Sequence, residues 1–395
     1  SYKTIADNGG FGVEIYGPDN TVYGNAFVND GLYTFYPNAV ENNTANGRPL
    51  VYLYGASGVV VSNAGQVVAV DSSNIKISGL NIYNSSVGIE LLNTNSSTID
   101  NTVVSDENYY GIYTNGTGDS LYDVNVTDSS FGIYINGSYN MVSGSYVSHT
   151  QWEGIDIYGS YNTIVGTTVT YGGLSASGGI VIDGSYNRLI NSTVTDSINP
   201  INAQYFGAVY ISGSYNTVSG TSVVNNNGDG IDADGSNTTI VSSYIAGNAR
   251  NGIFLGGSYD IVANSTISYN GNYGIFLAFS YDDMIYNNLF DNVNNVGLID
   301  SFAYWNTTLR AGRNIVGGYM IGGNAWLSPY GNGFSQITPP LPSDPYICDQ
   351  PYVISGNNVD YLPLKYTTYT ITFVESGLPA GTEWSVTLNG TTQTS

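Results

Sequence analysis

Four aspartates are the candidate catalytic residues of this 395-residue sequence: Asp156, Asp183, Asp232 and Asp234. Two carboxyl groups held a few ångströms apart can share the hydrolysis of a glycosidic bond, one as general acid and the other as base or nucleophile. The four residues therefore define one hypothesis, a hydrolase or lyase that acts on polysaccharide. The alternative is structural, because aspartates are common in turns.

Metal chemistry has a weaker basis in the sequence. Asp229 with Asp232 and Asp234, or Asp282 with Asp283, could contribute to a calcium site, but neither group supplies the roughly six to eight oxygen ligands that Ca²⁺ takes. One histidine, one cysteine and three methionines are too few for a copper site built from nitrogen and sulfur ligands. We therefore expect no metal and no cofactor.

The charge balance limits the classes of partner that this protein is expected to bind. Lys and Arg number 8 against 30 Asp and Glu, and the net charge is −22. Nucleic acids and anionic membranes are bound through clustered Lys and Arg, so we expect neither, and the apolar runs are too short for membrane insertion. Because carboxyl groups titrate near pH 4, the surface would lose most of its charge in acid, which suits an acidic medium. A neutral habitat is the alternative.

Asn-x-Ser/Thr sequons provide candidate glycosylation sites. Chance alone predicts roughly nine of them at this Asn and Ser/Thr content, so their number permits glycosylation without demonstrating it. The candidates are Asn42, Asn84, Asn95, Asn115, Asn125, Asn136, Asn191, Asn237, Asn264, Asn306 and Asn389.

A repeat of about 22 residues dominates the sequence and must position these groups. Segments reading Gly-Ile-x-Ile-x-Gly-Ser-Tyr-Asn begin at Gly132, Gly154 and Gly179, and variants of them cover about residues 12–315. The apolar residues alternate, which indicates strands rather than helices. Short strands at this period pair with their equivalents in the next coil, about 4.8 Å away. The sequence therefore predicts an all-β solenoid of parallel sheets.

The repeat predicts which side chains stack on one another. The predicted inward apolar file is Ile112, Ile133, Ile155, Ile180, Val209, Ile231, Ile253 and Ile275. The predicted outward file on the same strands is Glu90, Tyr113, Tyr134, Asp156, Val181, Tyr210, Asp232, Phe254 and Phe276. A predicted turn ladder contains Asn74, Asn140, Asn162, Asn187 and Asn216, with Asp119, Asp260 and Asp282 as replacements. A neighbouring predicted tyrosine file contains Tyr139, Tyr161, Tyr186, Tyr215, Tyr259, Tyr281 and Tyr304.

This register gives the expected spacing of the candidate catalytic groups. Asp156 and Asp232 lie three coils apart, about 14 Å, which is too far for joint action. Asp183 lies diagonal to Asp156, and Asp234 lies two residues beyond Asp232, so each pair is separated by roughly 7–8 Å. Inverting glycosidases place their carboxyl groups about 6.5–9.5 Å apart. Insertions at about 171–178 and 197–207 would flank the four aspartates.

The Gly-Ile-x-Ile-x-Gly-Ser-Tyr-Asn units resemble the repeats of the NosD-like and pectin-lyase-like superfamily, over about three quarters of the chain. The resemblance implies a right-handed parallel β-helix. It does not fix an activity, because that superfamily includes lyases, hydrolases, epimerases, adhesins and surface proteins. Its uronate-cleaving members use cations near the substrate, and here only Arg188 is expected near the aspartates. The Gly-His-Gly and Arg-x-Lys elements of polygalacturonases are missing.

The repeat ends near residue 315, which predicts three segments. Residues 1–315 form the β-helix, 316–366 an irregular cap, and 367–395 a pair of strands around a Gly-Leu-Pro-Ala-Gly turn. The last segment resembles β-modules of archaeal, thermopsin-like surface proteins. Little sequence precedes the first repeat copy, so we expect an open solenoid end. An open end and a lone strand pair both favour pairing with other copies, end to end or by strand donation, unless missing pieces of a longer chain close them.

Together these features favour an extracellular structural or adhesive protein of the cell surface, a self-assembling subunit of a filament or surface layer, rather than an enzyme. One alternative is the polysaccharide hydrolase or lyase described above. Another is a non-polymerising carbohydrate-binding adhesin that uses Tyr113, Tyr134 and Tyr210 as stacking platforms. The expected partners are copies of the chain itself and glycans.

Overall fold

Short strands separated by sharp corners wind the chain into a parallel β-solenoid of about 13 turns. The computed structural model describes residues 2–173, 178–198, 207–367, 372–379, 381–388 and 391–394. Within these ranges three sheets run along the solenoid: sheet A with 15 strands, sheet B with 12 and sheet C with 11. Each strand pairs with its equivalent in the coils before and after it, as the repeat predicts.

The strands of sheet A are Thr4–Ala6, Ala26–Val28, Thr44–Ala45, Arg48–Tyr54, Gln66–Val70, Val87–Asn95, Tyr110–Thr117, Phe131–Ile135, Ile155–Ile157, Ile180–Ile182, Val209–Ile211, Ile231–Ala233, Ile253–Leu255, Ile275–Ala278 and Val296–Ile299. The strands of sheet B are Val60–Val61, Lys76–Ser78, Thr98–Asp100, Ser120–Tyr122, Met141–Ser143, Thr163–Val165, Arg188–Ile190, Thr217–Ser219, Thr239–Val241, Ile261–Ala263, Tyr281–Tyr286 and Phe302–Tyr304. The strands of sheet C are Asn81–Tyr83, Val103–Ser105, Asn125–Thr127, Tyr146–Ser148, Thr168–Thr170, Thr193–Thr195, Ser222–Val224, Tyr244–Ala246, Thr266–Ser268, Leu289–Asp291 and Ala325–Leu327.

Smaller elements occupy the two ends of the chain. At the N-terminus, Val13–Ile15 pairs with Leu32–Thr34, and Thr21–Tyr23 with Ala39–Glu41. Towards the C-terminus the antiparallel pairs are Arg310–Ala311 with Met320–Ile321, Pro340–Leu341 with Asp344–Cys348, Tyr352–Ser355 with Asn358–Asp360, and Ser385–Leu388 with Thr391–Thr394. The short helix Phe334–Ile337 lies among them. No helix in the described ranges is long and apolar enough to cross a membrane.

The inside of the solenoid is apolar and closely packed. The predicted inward file from Ile112 to Ile275 is confirmed, and each of its members is at most 1% exposed. Each such burial stabilises the fold by roughly 1.5–3 kcal/mol. The residue that opens each repeat is usually glycine, with Ala208 in one coil. A Cβ on Gly132 would lie 2.2 Å from the carbonyl oxygen of Gly154, so no larger residue fits at that position.

Most corners of the solenoid use a residue in the left-handed region. In the coil that opens at Gly132 these residues are Tyr139, Gly144 and His149, with φ of 61°, 60° and 55°. The residue after Tyr139 is the buried Asn140, whose amide donates to Oδ1 of Asn162 in the next coil at 2.8 Å. The resulting ladder satisfies backbone groups that the turn leaves without a strand partner.

The predicted memberships of the ladder and the tyrosine file are partly wrong, by one residue. Asn74 and Asp282 occupy the left-handed position, with φ of 53° and 61°. Asp283 takes the ladder position instead and accepts from the amide of Asp260. Tyr281 and Tyr304 lie in strands of sheet B rather than in the tyrosine file. The cause of the late shift is a step of 23 residues from Asp260 to Asp283, one more than in the coil before it.

The N-terminal coils differ from the predicted regular succession. Two small coils, residues 4–23 and 26–41, stack on each other around their own apolar core, which includes Phe27 and Leu32. The chain then reverses, because Thr44–Ala45 pairs antiparallel with Arg48–Tyr54 before the main solenoid begins. The first two coils are therefore a separate unit that joins sheet A in the opposite strand direction.

The first strand of sheet C, Asn81–Tyr83, does not have an open edge. Asn46 donates to the carbonyl oxygens of Tyr83 and Asn84 at 2.7 and 2.8 Å. Arg48 donates to the carbonyl oxygen of Asn81 at 2.6 Å. These side chains take the place of a further strand, which is one way that proteins protect a sheet edge.

The other end of the solenoid is closed by aromatic residues. Trp326 is buried, stacks on Phe290 at 4.8 Å and donates to the carboxylate of the fully buried Asp360 at 2.8 Å. Burial raises the pKa of Asp360 to about 7. Trp305 is also fully buried and donates to Asn358. Ala325–Leu327 still belongs to sheet C, so this sheet extends past residue 315. The division into segments 1–315, 316–366 and 367–395 stays a prediction.

Candidate functional site

The outward face of sheet A carries the candidate site. All nine members of the predicted outward file lie side by side in consecutive strands, from Glu90 to Phe276. Asp156 lies between Tyr134 and Val181, and Asp232 between Tyr210 and Phe254. Val181 and Tyr210 separate the two aspartates, so the four candidate aspartates form two groups, as the spacing predicts.

The N-terminal coils cover the beginning of this face. Tyr33 packs against Tyr110 and Tyr113, and Phe11 stacks on Tyr33 at 4.8 Å. Tyr113 is only 7% exposed. The prediction that Tyr113 serves as an exposed stacking platform is therefore wrong, because the chain reversal near residue 46 places another part of the protein over it.

Hydrogen bonds fix this cover to the strands below. Ser86 Oγ accepts from the amides of Gly12 and Gly31 at 3.1 and 2.9 Å. The buried side chain of Gln66 accepts from the amide of Leu32 and donates to its carbonyl oxygen. A Cβ on Gly31 would lie 2.3 Å from Ser85 Oγ, so the close approach requires glycine at that position. The N-terminal coils are thus held over sheet A by specific hydrogen bonds and close packing.

Glu90 lies completely buried beneath the cover. Within the described part of the chain neither of its carboxylate oxygens has a well-formed hydrogen bond. Burial raises the pKa of Glu90 well above its usual value, and the nearby amide of Thr34 offsets this only in part. Burial therefore favours the protonated form of Glu90 in the folded protein.

The first group of the candidate site surrounds Asp156. Its side chain is 4% exposed, and Oδ1 has no hydrogen-bond partner among the described residues. Burial, followed by the charges of Glu153 and Asp183, raises the pKa of Asp156 to about 8. Asp183 is half-buried and accepts from Ser212 Oγ. Tyr158, which is 51% exposed, lies within hydrogen-bonding reach of Asp183. A largely protonated carboxyl group therefore lies behind a more accessible carboxylate and a tyrosine.

The second group surrounds Asp232 and has the same arrangement. Asp232 is 4% exposed, and Oδ1 has no partner in the described ranges. Burial, then the charges of Asp234 and Asp229, raise its pKa to about 8, while Arg250 opposes the shift. Asp234 is exposed, and the hydroxyl of Tyr210 donates to it at 3.3 Å. Gly207 lies close to the backbone of Asp232, since a Cβ on Gly207 would lie 2.8 Å from the Asp232 amide nitrogen.

The basic residue at the site is not the one that the sequence suggested. Arg188 lies on a strand of sheet B, between Thr163 and Thr217, and is exposed. Arg250 was missed, and its Nη1 lies 4.0 Å from Asp229 Oδ2. Its position was readable in principle, because it stands two residues before Gly252, at the corner that precedes the next strand of sheet A.

The flanking insertions fall partly outside the described residues, at 174–177 and 199–206. The sequon asparagines are distributed over several faces. Those with exposed side chains are Asn42, Asn95, Asn136, Asn191 and Asn264. Those that are half-buried are Asn84, Asn115, Asn125, Asn237 and Asn306. Asn389 lies outside the described residues.

The calcium alternatives gain no support from the geometry. Asp283 is buried and already accepts from the amide of Asp260 and from Ser280, so it does not share a site with Asp282. In the part of the chain that the structure describes, no group of three or more His, Cys, Asp or Glu is arranged to hold a metal ion.

Comparison with protein families agrees with the fold. The family model described as periplasmic copper-binding protein (NosD) matches residues 162–331, and the model of the right-handed β-helix region matches residues 65–203. The chain is a NosD-like right-handed parallel β-helix protein. A search of curated proteins found no match.

Solved structures that resemble this NosD-like protein share low sequence identity with it. Pectate lyase Pel9A is 15% identical with a TM-score of 0.43, over 65% of this chain and 79% of that chain. The Dettilon tailspike protein (gp208) is 14% identical with a TM-score of 0.38, over 69% and 62% of the two chains. ORF18 of Geobacillus virus E2 is 11% identical with a TM-score of 0.33, over 73% and 52%.

The residues of this NosD-like protein do not fit a copper centre. The sole histidine, His149, is at a corner between sheets C and A, and the sole cysteine, Cys348, is buried at the end of the strand Asp344–Cys348. Met141 and Met284 lie on sheet B, and Met320 lies in an antiparallel pair near the C-terminus. Soft ligands at such separate places cannot bind one ion.

Proposed function

We propose that this NosD-like protein is an exported structural or adhesive surface protein that binds polysaccharide on the open part of the outward face of sheet A. The observation that carries the proposal is the pairing of an accessible carboxyl group and a tyrosine in both groups of the site. Tyr158 accompanies Asp183 in one group, and Tyr210 accompanies Asp234 in the other. Aromatic rings and carboxyl groups are suited to the apolar faces and the hydroxyl groups of sugars.

The charges of the site indicate which polysaccharides it would accept. Glu153 and Asp183 add acidic side chains beside Asp156, and Asp229 and Asp234 add them beside Asp232, where the described cation Arg250 already faces Asp229. Like charges in contact are unfavourable, so a polyuronate would be repelled. Neutral glycans or amino-sugar polymers fit this electrostatic environment.

A binding assay with three classes of polysaccharide tests the proposal. The probes are a neutral β-glucan, an amino-sugar polymer and a polygalacturonate, measured at pH 5 and at two salt concentrations. We expect binding to one or both of the first two and none to the third. The double variant Asp183→Asn, Tyr158→Ala should lose at least tenfold in affinity, about 1.4 kcal/mol. The control Asp123→Asn removes one exposed charge from another corner and should bind normally. Equal losses in both variants would contradict the proposal.

Hydrolysis is a second candidate function, favoured by the state of Asp156. A carboxyl group with a pKa of about 8 is protonated at neutral and acidic pH and can act as a general acid. Asp183 would then be the base, at roughly 7–8 Å by strand geometry, the separation of an inverting enzyme. If so, Asp156→Asn abolishes release of reducing sugars while binding is retained. Undiminished release by the variant would exclude this mechanism.

We also propose that copies associate, as the sequence predicts, through the C-terminal strand pair. Ser385–Leu388 and Thr391–Thr394 pair with no other strand among the described residues, and Phe373 and Val374 nearby are 44% and 84% exposed. A two-stranded hairpin alone is marginally stable in water. Light scattering and negative-stain microscopy of the full chain and of a variant lacking 367–395 test this. Unchanged assembly in the shortened protein would contradict strand donation.

A further inference from the structure

Exposed tyrosine rings form a ladder along the corner between sheets A and B. Tyr139, Tyr161, Tyr186 and Tyr215 stack with centroid distances of 5.0, 5.0 and 4.9 Å and interplanar angles of 3–4°. Each tyrosine has a φ near 60°, a conformation that bulky residues adopt rarely. Repeated use of this conformation keeps the rings parallel and half exposed.

The ladder lacks one ring. The next coil places Asn237 at the equivalent position with φ 60°, and the coil after it places Tyr259 there with φ 63°. The backbone confirms the register, because the amides of Tyr215, Asn237 and Tyr259 donate to the carbonyl oxygens of Ser236, Ser258 and Tyr281 in turn. Tyr215 and Tyr259 therefore face each other across two coil spacings, roughly 10 Å. Asn237 is too short to fill that gap.

Asn237 is also the first residue of a sequon, Asn237-Thr238-Thr239. Its side chain is half-buried and forms no hydrogen bond with the residues that the structure describes. Three other sequon asparagines are engaged in hydrogen bonds. Oδ1 of Asn95 accepts from the amide of Thr117, and Oδ1 of Asn264 accepts from Asn287. Asn306 both donates to Thr307 and accepts from the amide of Tyr361.

We propose that Asn237 is N-glycosylated and that its first sugar stacks between Tyr215 and Tyr259. A sugar ring midway in the gap would lie about 5 Å from each of the two tyrosine rings, which is within the preferred range for stacked rings. In the transfer, the amide nitrogen of Asn237 attacks C1 of an oligosaccharide carried on a lipid phosphate. The C–N bond forms as the C–O bond to phosphate breaks, the amide loses one proton, and the lipid phosphate leaves. The inference is independent of the polysaccharide-binding proposal.

Mass spectrometry of peptides from the protein as its own cells export it is the first test. We expect the peptide that contains Asn237 to carry a glycan at high occupancy. Deglycosylation of that peptide in heavy-oxygen water should leave a labelled aspartate at position 237. An unmodified Asn237 peptide would overturn the proposal, whether or not the other sequons carry sugars.

Stability measurements test the stacking part. Tyr259→Ala should lower the Tm of the glycosylated protein more than that of protein made in a host without glycosylation. Equal shifts would show that the sugar does not contact the ring. Asn191→Gln is the control for loss of a sequon without any change in the tyrosine file. Asn191 is also in the left-handed region, with φ 47°, but lies at another corner. In unglycosylated protein, Asn237→Tyr should complete the ladder and raise the Tm, and a fall in Tm would show that the gap does not accommodate a ring.

Discussion

The outward face of sheet A has a covered part and an open part, and both contain carboxyl groups that burial has made weak acids. Glu90 is completely buried under the N-terminal coils, with the amide of Thr34 beside it. Asp156 and Asp232 are nearly as buried, yet accessible groups, Tyr158 and Asp234, lie beside them. The comparison indicates that an acidic residue in this file is not by itself a sign of function. The neighbouring groups that reach solvent distinguish a site from a structural carboxyl group.

The largest expected effect concerns the pH dependence of stability and involves buried carboxyl groups of the open part and of other parts of the solenoid. The pKa values of Asp119 and Asp283 are raised to about 6, that of Asp360 to about 7, and those of Asp156 and Asp232 to about 8. A carboxyl group with a raised folded-state pKa binds more protons in the folded state than in the unfolded state. The free energy of unfolding should therefore fall as pH rises from about 4 to about 8. Calorimetry from pH 3 to 9 checks this, and a Tm that rises towards neutral pH would contradict it.

The next effect separates the two parts of the face. Tyr33→Ala removes a 5% exposed ring from the cover and should lower the free energy of unfolding by about 3–5 kcal/mol. Tyr158→Ala removes a half-exposed ring from the open part and should change it by no more than about 0.5 kcal/mol. Urea denaturation of both variants measures the difference. Similar losses would mean that the two parts are equally structural.

Replacement of the covered carboxyl group should stabilise the protein at high pH only. Glu90→Gln removes a buried ionisable group whose pKa is raised by burial, and at pH 8–9 it should relieve roughly 1–3 kcal/mol. At pH 3 the wild-type carboxyl group is neutral, and the variant should have no advantage. Glu41→Gln, an exposed residue of the same N-terminal unit, is the control and should change neither value.

A smaller effect of the same sign is expected in the open part. Asp156→Asn should flatten the pH dependence of the Tm between about pH 4 and pH 8, because the variant lacks the group that burial and two neighbouring charges keep protonated in the folded state. The gain should be less than that of Glu90→Gln, since the Ile157 amide and nearby solvent already favour the charged form of Asp156. A larger gain at Asp156 would invert the comparison between covered and open parts.

The sequence predicts most of this architecture because a constant repeat length sets the register. All nine members of the outward file and the apolar file beneath it follow from the spacing alone. The predicted ladder fails at Asp283, where one coil is a residue longer than the coil before it. The cover could not be predicted, since it depends on the reversal at Asn46 and Gly47 and on contacts between residues far apart in sequence. Arg250 was missed because the outward file includes strand residues and leaves out the corner that precedes each strand.

Carboxyl footprinting would test the central claim most directly. A carbodiimide and a labelled amine modify accessible carboxyl groups, and mass spectrometry reports the extent at each residue. With the polysaccharide that binds best, we predict that labelling of Asp183 and Asp234 falls severalfold. Labelling of Asp123 and Asp128, which are exposed at other corners, should stay unchanged. Protection at those two residues with none at Asp183 and Asp234 would contradict the account and move the binding surface away from sheet A.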